Sequence, residues 1–214
     1  MSEQGLILIV GLGKELGMEL ARKFGKQGYE IVLMGRDKAA VLPKISLLCE
    51  EGIKGYGIGI DVADGKSIAD AFQEVDKLNK PIRGLVYNAV ARRIKAPSEL
   101  LPEEVEADLK VSLLGAMGCT SQLLHRYQGN EFILYTGGGV ALTPSVPSAS
   151  MSVGKAALRN YVLNLAEELK DGDVFVGMVT ITRKMEYGTD CPPDLVADVY
   201  LELAGTRDCV EKII

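Results

Sequence analysis

Hydrophobic positions along this chain fall into two alternating kinds of segment: short continuous apolar runs, and longer stretches in which apolar residues recur every three or four positions. The first run, Leu6–Val10, ends in glycines and predicts a buried parallel strand. Behind it Leu16, Leu20, Ala21 and Phe24 form one side of a helix, with Glu15, Glu19, Arg22 and Lys23 largely elsewhere and Gly25 and Gly28 closing it. Further strands are predicted at residues 31–34, 56–60, 84–87, 132–135 and 174–181, with a short seventh at 210–214. Helical periodicity covers Lys38–Glu50, with Pro43 blurring its start, and a segment capped by Asp64 that runs to about Leu78. It returns over residues 102–127, through Val105, Leu109, Leu113, Met117 and Leu124, and over 151–169 and 193–204. There is no internal repeat and no low-complexity linker. Strict strand–helix alternation implies right-handed crossovers, and so an α/β protein: one domain over residues 1–214, a doubly wound parallel sheet of six to seven strands with helices on both faces.

Composition narrows the function classes. Of 214 residues, 47% are hydrophobic and 25% charged, an ordinary globular balance. The net charge of −5, with basic residues scattered except for the Arg92-Arg93 pair, speaks against nucleic-acid partners. Leu6–Val10 is far too short to span a membrane, and the acidic start Met1-Ser2-Glu3-Gln4 lacks the basic flank of a signal peptide. Cys49, Cys119, Cys191 and Cys209 lie far apart without metal-ligand spacing, so a metal-free cytoplasmic protein with reduced thiols is expected.

Glycines cluster at two places, Gly11-Gly13-Gly17 and Gly137-Gly138-Gly139. The first cluster lies between the first strand and the first helix, in Gly11-Leu12-Gly13-Lys14-Glu15-Leu16-Gly17. A pyrophosphate needs free backbone N–H groups at a helix N-terminus and no side chain blocking its approach, and glycines at such a turn provide both. The spacing Gly-x-Gly-x-x-x-Gly resembles the loop of the short-chain dehydrogenases, Thr-Gly-x-x-x-Gly-x-Gly. Val10 replaces Thr, Gly11 and Gly17 match, and Glu15 replaces the middle glycine. The Glu15 carboxylate must therefore turn outward or pair with Lys14.

The resemblance to that family runs almost the full length of the chain. Asp61-Val62 is similar to the Asp-Val that ends the third strand and contacts adenine. Asn88-Ala89 resembles the segment after the fourth strand, with Tyr87 and Val90 departing on either side. Residues 98–115 resemble the long interface helix, where Ser112 stands at the family's catalytic Asn. Lys155-Ala156-Ala157 resembles the Lys-Ala-Ala of the family's catalytic helix. The resemblance implies a Rossmann-type fold, a nicotinamide dinucleotide, oxidoreductase chemistry and Lys155 as a ribose-holding catalytic lysine. It implies cofactor contacts at Gly11, Gly13, Lys14, Leu16, Gly17, Arg36, Asp61, Val62, Asn88, Ala89 and Lys155.

The proton-transfer machinery of the family is missing. That chemistry uses a Tyr four residues before the Lys, its phenol pKa lowered by the ammonium, and an upstream Ser that positions the substrate oxygen. Four before Lys155 is Met151, and the Ser position falls on Gly138 or Gly137. Bacterial enoyl-acyl-carrier-protein reductases place their Tyr seven before the Lys and can carry Met at four, but seven before Lys155 is Ser148. Their second tyrosine would also fall on Gly138. Lys155 is otherwise an ordinary helix lysine. Tyr135 and Tyr161 read better as core or interface aromatics than as replacement acids, and His125, the only histidine, suits a helix C-terminus better than catalysis. Ser145, Ser148, Ser150 and Ser152 suit helix capping better than a Ser–Lys nucleophile. Ile181-Thr182 occupies the family's Pro-Gly place, and only residues 183–191 remain where relatives carry a substrate-covering loop, so an open site is expected.

Three expectations follow. The chain binds NADP(H) in preference to NAD(H), because Arg36 stands where NAD-preferring relatives carry an acid and Lys14 where many NADP-dependent relatives carry Arg. The competing reading pairs Arg36 with Asp37 or a nearby Glu. The chain is an oxidoreductase by descent with slow carbonyl reduction, or a non-catalytic dinucleotide sensor acting through a partner protein. Its substrate is an unidentified small molecule. It forms a homodimer or higher homo-oligomer through the helices at 102–127 and 151–169, whose apolar residues Leu113, Met117, Ala157, Tyr161 and Leu165 exceed what a sheet would cover.

Overall fold

Leu6, Leu8 and Val10 point to one side of the first strand and Ile7 and Ile9 to the other, and all five are fully buried. A strand apolar on both faces must lie in the middle of a sheet covered by helices on both sides. The computed structural model, which describes residues 5–126 and 128–214, has this arrangement. The elements run β1 (Leu6–Val10), α1 (Leu16–Lys26), β2 (Glu30–Gly35), α2 (Lys38–Glu50), β3 (Gly55–Gly59) and α3 (Gly65–Asp76). They continue through β4 (Ile82–Tyr87), α4 (Pro102–Leu109), α5 (Gly115–Leu124), β5 (Phe132–Thr136), α6 (Ala149–Leu169), β6 (Phe175–Thr180), α7 (Pro193–Thr206) and β7 (Glu211–Ile213). Seven parallel strands lie in the order β3-β2-β1-β4-β5-β6-β7. The order reverses between β1 and β4, and a doubly wound sheet opens a crevice at such a switch point, outside the carboxyl ends of its strands.

Two apolar layers sandwich the sheet. On one face α3, α5 and α6 bury Phe72, Leu123, Leu158 and Val162 against Leu8, Val32 and Leu85. On the other α1, α2 and α7 bury Phe24, Val41 and Tyr200 against Ile9, Leu33 and Leu134. The Asp64 cap expected from sequence is present, and a second cap that was not expected starts α2. Asp64 accepts from Lys66 N at 3.0 Å and starts α3, and Asp37 accepts from Ala39 N at 2.9 Å and starts α2, which runs through Pro43. No helix among the described residues is long and apolar enough to cross a membrane.

The helix expected over 102–127 is the main departure. It is broken into α4 and α5 by a π turn at Lys110–Leu114, and α5 ends at Leu124. Tyr127 and Met1 to Gln4 lie outside the described residues. The physical reason is tertiary: the Tyr87 hydroxyl, from the end of β4, donates to the Val111 carbonyl and takes an acceptor the helical ladder would use. The outer face also differs from expectation. Leu165 belongs to the core, whereas Leu113, Ala157 and Tyr161 are half-buried and Leu114, Met117 and Val153 are exposed.

Candidate functional site at the carboxyl edge of the sheet

The phosphate loop takes its shape from two constraints. Gly11 has φ +87°, which L side chains rarely adopt, and a Cβ there would lie 2.5 Å from the Ala89 nitrogen. Gly17 packs so closely under the loop that a Cβ would lie 2.5 Å from the Leu12 carbonyl oxygen, to which the Gly17 amide donates. Gly13, at φ +59°, is exposed. Helix α1 begins at Leu16 with Glu15 in the cap position and no side chain bonded to its N-terminus. The amides of Leu12, Gly13, Lys14, Glu15 and Leu16 donate to no acceptor among the described residues. Uncommitted amides at the positive end of a helix dipole are what a phosphate requires. Lys14 and Glu15 are both exposed, and no ion pair joins them.

Around the loop, Gly35 at the end of β2 lies against the Leu12 side chain, and the next residue, Arg36, is exposed. Arg36 has no ion pair among the described residues; the Asp37 carboxylate expected to hold it in the competing reading caps α2 instead. Asp61 is exposed and its carboxylate accepts from Ala63 N, while Val62 is buried beneath Gly115. Asn88 bridges the two halves of the site. Its amide donates to the Gly11 carbonyl at 2.8 Å, and its carbonyl oxygen accepts from the Thr136 hydroxyl at 2.9 Å. Ala89 closes the loop against Gly11.

Beyond Thr136 the site changes character. Lys155, on α6, is only 5% exposed, and its ammonium donates to the Thr136 carbonyl at 2.6 Å. Burial, and after it the neighbouring Arg92 charge, push the Lys155 ammonium down to about 8. Met151 sits one helical turn earlier. Gly138 faces the lysine: a Cβ there would be 3.7 Å from Lys155 Cγ, an ordinary contact. At Gly137 a Cβ would be 2.3 Å from Thr180 Oγ1, so the residue facing Lys155 is Gly138. Ser112 lies in the π turn, buried against Gly154, and accepts from Ala91 N at 3.3 Å. Two of the four loop serines have engaged hydroxyls: Ser150 donates to Asp108, and Ser152 donates to the Ser148 carbonyl while accepting from Ser145 N. Tyr135 is enclosed beside Thr120, its phenol pushed well above the usual range by burial, and His125 is exposed at the C-cap of α5.

Two residues of the site had no sequence signal, Thr136 and Tyr200. The Tyr200 hydroxyl, from α7, donates to Thr136 Oγ1 at 2.6 Å and completes a buried chain from α7 through Thr136 and Asn88 to Gly11. A threonine ending an apolar run and a tyrosine within a helix look like core. Only their place at a strand's carboxyl end, or packed on it, could have singled them out. The short segment after β6 folds down beside α1, where the Tyr187 hydroxyl donates to Glu19 at 2.8 Å and Arg183 pairs with Asp190 at 3.1 Å.

Residues 5–183 match the short chain dehydrogenase family. An uncharacterized oxidoreductase of Thermotoga maritima is 28% identical over 142 residues, covering 66% of this chain and 53% of the relative. A 3-oxoacyl-acyl-carrier-protein reductase of Aquifex aeolicus is 27% identical over 176 residues, covering 80% and 71%. A peroxisomal 2,4-dienoyl-CoA reductase of Arabidopsis thaliana is 30% identical over 176 residues, covering 75% and 57%. The chain thus spans little more than half the length of two of these three relatives. A short chain dehydrogenase from Burkholderia cenocepacia, solved in complex with NADP, superposes with a TM-score of 0.87 at 18% identity, over 97% of this chain and 95% of that one. With the fold, the loop and the family match in agreement, this chain belongs to the short-chain dehydrogenase family.

Proposed function

We propose that this chain binds NADP(H) and descends from an oxidoreductase whose proton-transfer groups have been replaced. The observation that carries the reading is the uncapped N-terminus of α1 and its loop, with five amides uncommitted among the described residues, beside an exposed Arg36 that makes no ion pair among them. The cradle fits a dinucleotide, because the space a Cβ would fill at Gly11 is kept clear and no side chain occupies the amides. The amides from Gly13 to Leu16 would hold the pyrophosphate, with Gly11 and Gly17 setting the turn. Arg36 and Lys14 would hold a 2′-phosphate by charge-assisted hydrogen bonds. Asp61 and Val62 would flank the adenine, Asn88 and Ala89 the loop's inner edge, and Lys155 the nicotinamide ribose. When bound, the nicotinamide supplies or accepts a hydride. The chain's own part in reduction is to deliver a proton, and Met151 and Gly138 carry none to give. Reduction should then draw its proton from water or a loop serine and be slow.

Calorimetric titration with NADPH and NADH, on wild type and Arg36→Ala, tests the cofactor assignment. Equal affinities for the two, or a preference untouched by Arg36→Ala, refute it. The bare corner beside Lys155 favours a second reading, a dinucleotide sensor without turnover. Saturable, substrate-dependent NADPH oxidation separates the two. In either reading the exposed Leu114, Met117 and Val153 support homodimerisation through α4, α5 and α6. Light scattering that returns a monomer at micromolar concentration would refute that.

A further inference from the structure

The loop that follows β4 forms a rim beside the part of α6 that carries Lys155, since Ala91 N donates to Ser112 Oγ and Ser112 packs against Gly154, and it is held from two directions. Arg93 binds Asp108 through two nitrogens, at 2.9 and 3.1 Å, and reaches Glu104 at 3.1 Å. Lys95 pairs with Glu104 at 2.7 Å, and its backbone bridges to the loop before α6, where Lys95 N donates to the Pro147 carbonyl at 2.9 Å. These contacts fix the loop just after Arg92, and Ala91 N, donating to the Ser112 hydroxyl at 3.3 Å, fixes it just before. Arg92 itself is exposed and has no ion pair among the described residues.

The carboxylates around this rim are already engaged. Asp108 is held by Arg93 and by the Ser150 hydroxyl at 2.7 Å, Glu104 by Arg93 and Lys95, and Glu99 accepts from the Ala96 amide at 3.2 Å. Lys155 is a second cation without a counter-ion among the described residues, where its one acceptor is the neutral Thr136 carbonyl. Buried charges are ordinarily paired, because an isolated one loses its hydration without recompense. A dinucleotide ribose offers Lys155 only neutral hydroxyls, so the imbalance persists with the cofactor in place.

We propose that Arg92 and Lys155 form a subsite for an organic anion, and that the substrate or ligand of this protein is a carbonyl compound bearing a carboxylate. Arg92 takes the carboxylate at the rim. The Lys155 ammonium, with N–H donors beyond the one on Thr136, faces the carbonyl oxygen across the space left open at Gly138. Burial first, and the Arg92 charge second, depress the Lys155 titration, so Arg92 stands near enough to act on the ammonium. Recognition of a carboxylate by a guanidinium is bidentate and directional, which a lysine at the same place reproduces only as a point charge.

The inference rests on the dinucleotide reading, and its test keeps the two apart. NADP-saturated protein is titrated calorimetrically with 4-oxopentanoate and with its methyl ester, which share the carbonyl and differ in charge. The acid should bind ~10-fold tighter than the ester, with the gap narrowing as salt is raised. Arg92→Gln should abolish the gap and Arg92→Lys should retain part of it, while NADP affinity stays the same in both. Equal binding of acid and ester, no binding of the acid, or a gap that survives in Arg92→Gln would each overturn the subsite. Failure of NADP itself to bind refutes the cofactor reading instead. The acid and ester are then titrated without it, and the same Arg92-dependent gap decides the subsite.

Discussion

The phosphate loop and the Lys155 corner lie on the same carboxyl edge, joined through Asn88 and Thr136, yet they are built on different principles. The loop works through backbone: the conformation at Gly11, the close approach at Gly17, and amides that no side chain covers. Its Glu15 departs from the family pattern without consequence for the fold, because that side chain is exposed. The lysine corner works through side chains, and there each replacement removes a chemical group outright. Met151 has no exchangeable side-chain proton and Gly138 no hydroxyl. Binding built from backbone geometry tolerates changes of side chain, whereas acid–base chemistry is lost at a single position.

The contrast can be broken most severely at the loop. Gly11→Ala forces an L side chain into φ +87° and drives its Cβ against Ala89. It should cost about 3 kcal/mol or more in unfolding free energy, read by denaturant titration, and should abolish NADPH binding. A substitution tolerated in both respects would mean that the loop does not require its backbone.

Restoring the lost groups sharpens the contrast from the other side. Met151→Tyr with Gly138→Ser should raise NADPH-dependent reduction of small ketones by ~10²-fold, within the range of general acid–base assistance. Gly138 has room for the new Cβ, and Gly137 has none, so Gly137→Ser should fold poorly and restore nothing. Unchanged rates in the double variant would show that the corner has re-formed beyond repair.

A smaller effect concerns the stability cost of the buried ammonium. The unfolded chain keeps this proton to about 10.5, whereas the folded chain releases it near 8. The destabilisation is therefore full below about pH 8 and fades as pH rises toward 10.5. Lys155→Met should stabilise the protein by about 2 kcal/mol at pH 7, the cost of the shifted titration less one hydrogen bond. The gap from wild type should shrink between pH 8 and 10.5. Thermal melts across that window check it, and a pH-independent gap would contradict it. The smallest effect is expected at Arg36→Ala, a ~10-fold loss of NADPH affinity with NADH unaffected, the size of one charge-assisted contact.

Much of this architecture was legible in the sequence because it rests on local pattern. Apolar runs marked β1, β2, β4, β5 and β6, whereas β3 is thinned by glycines and β7 carries Glu211 and Lys212. Strands β2 and β4 begin one or two residues earlier, β3 lies one residue earlier, and β6 is shorter at both ends than the sequence suggested. The break in the long helix was not legible, since it depends on a tyrosine hydroxyl arriving from a strand 24 residues earlier. Leu165 was assigned to the outer face from periodicity alone, but α6 turns it onto the sheet. In the site, the loop glycines and Lys155 announced themselves by spacing. Thr136 and Tyr200 did not, because a buried polar network is defined by what meets across the fold rather than along the chain. The choice between Gly137 and Gly138 likewise needed coordinates, as one residue of register along a strand reverses which way a side chain points.

The three consecutive glycines after β5 also restrict the routes by which this protein could change. Gly137 and Gly139 continue the sheet, their amides donating to the Val179 and Ile181 carbonyls, and Thr180 and Thr182 fill the space beside them. A Cβ at Gly139 would lie 2.9 Å from Thr182 Cα, and one at Gly137 still closer to Thr180, whose hydroxyl is in turn bound to Glu211. A lineage altering either position must first move a threonine, and at Gly137 that threonine is tied to the last strand. Only Gly138 opens by a single step, toward Lys155. Of the three, it is the one residue through which drift could return a side chain to the centre, and the flanking pair would hold their shape while it did.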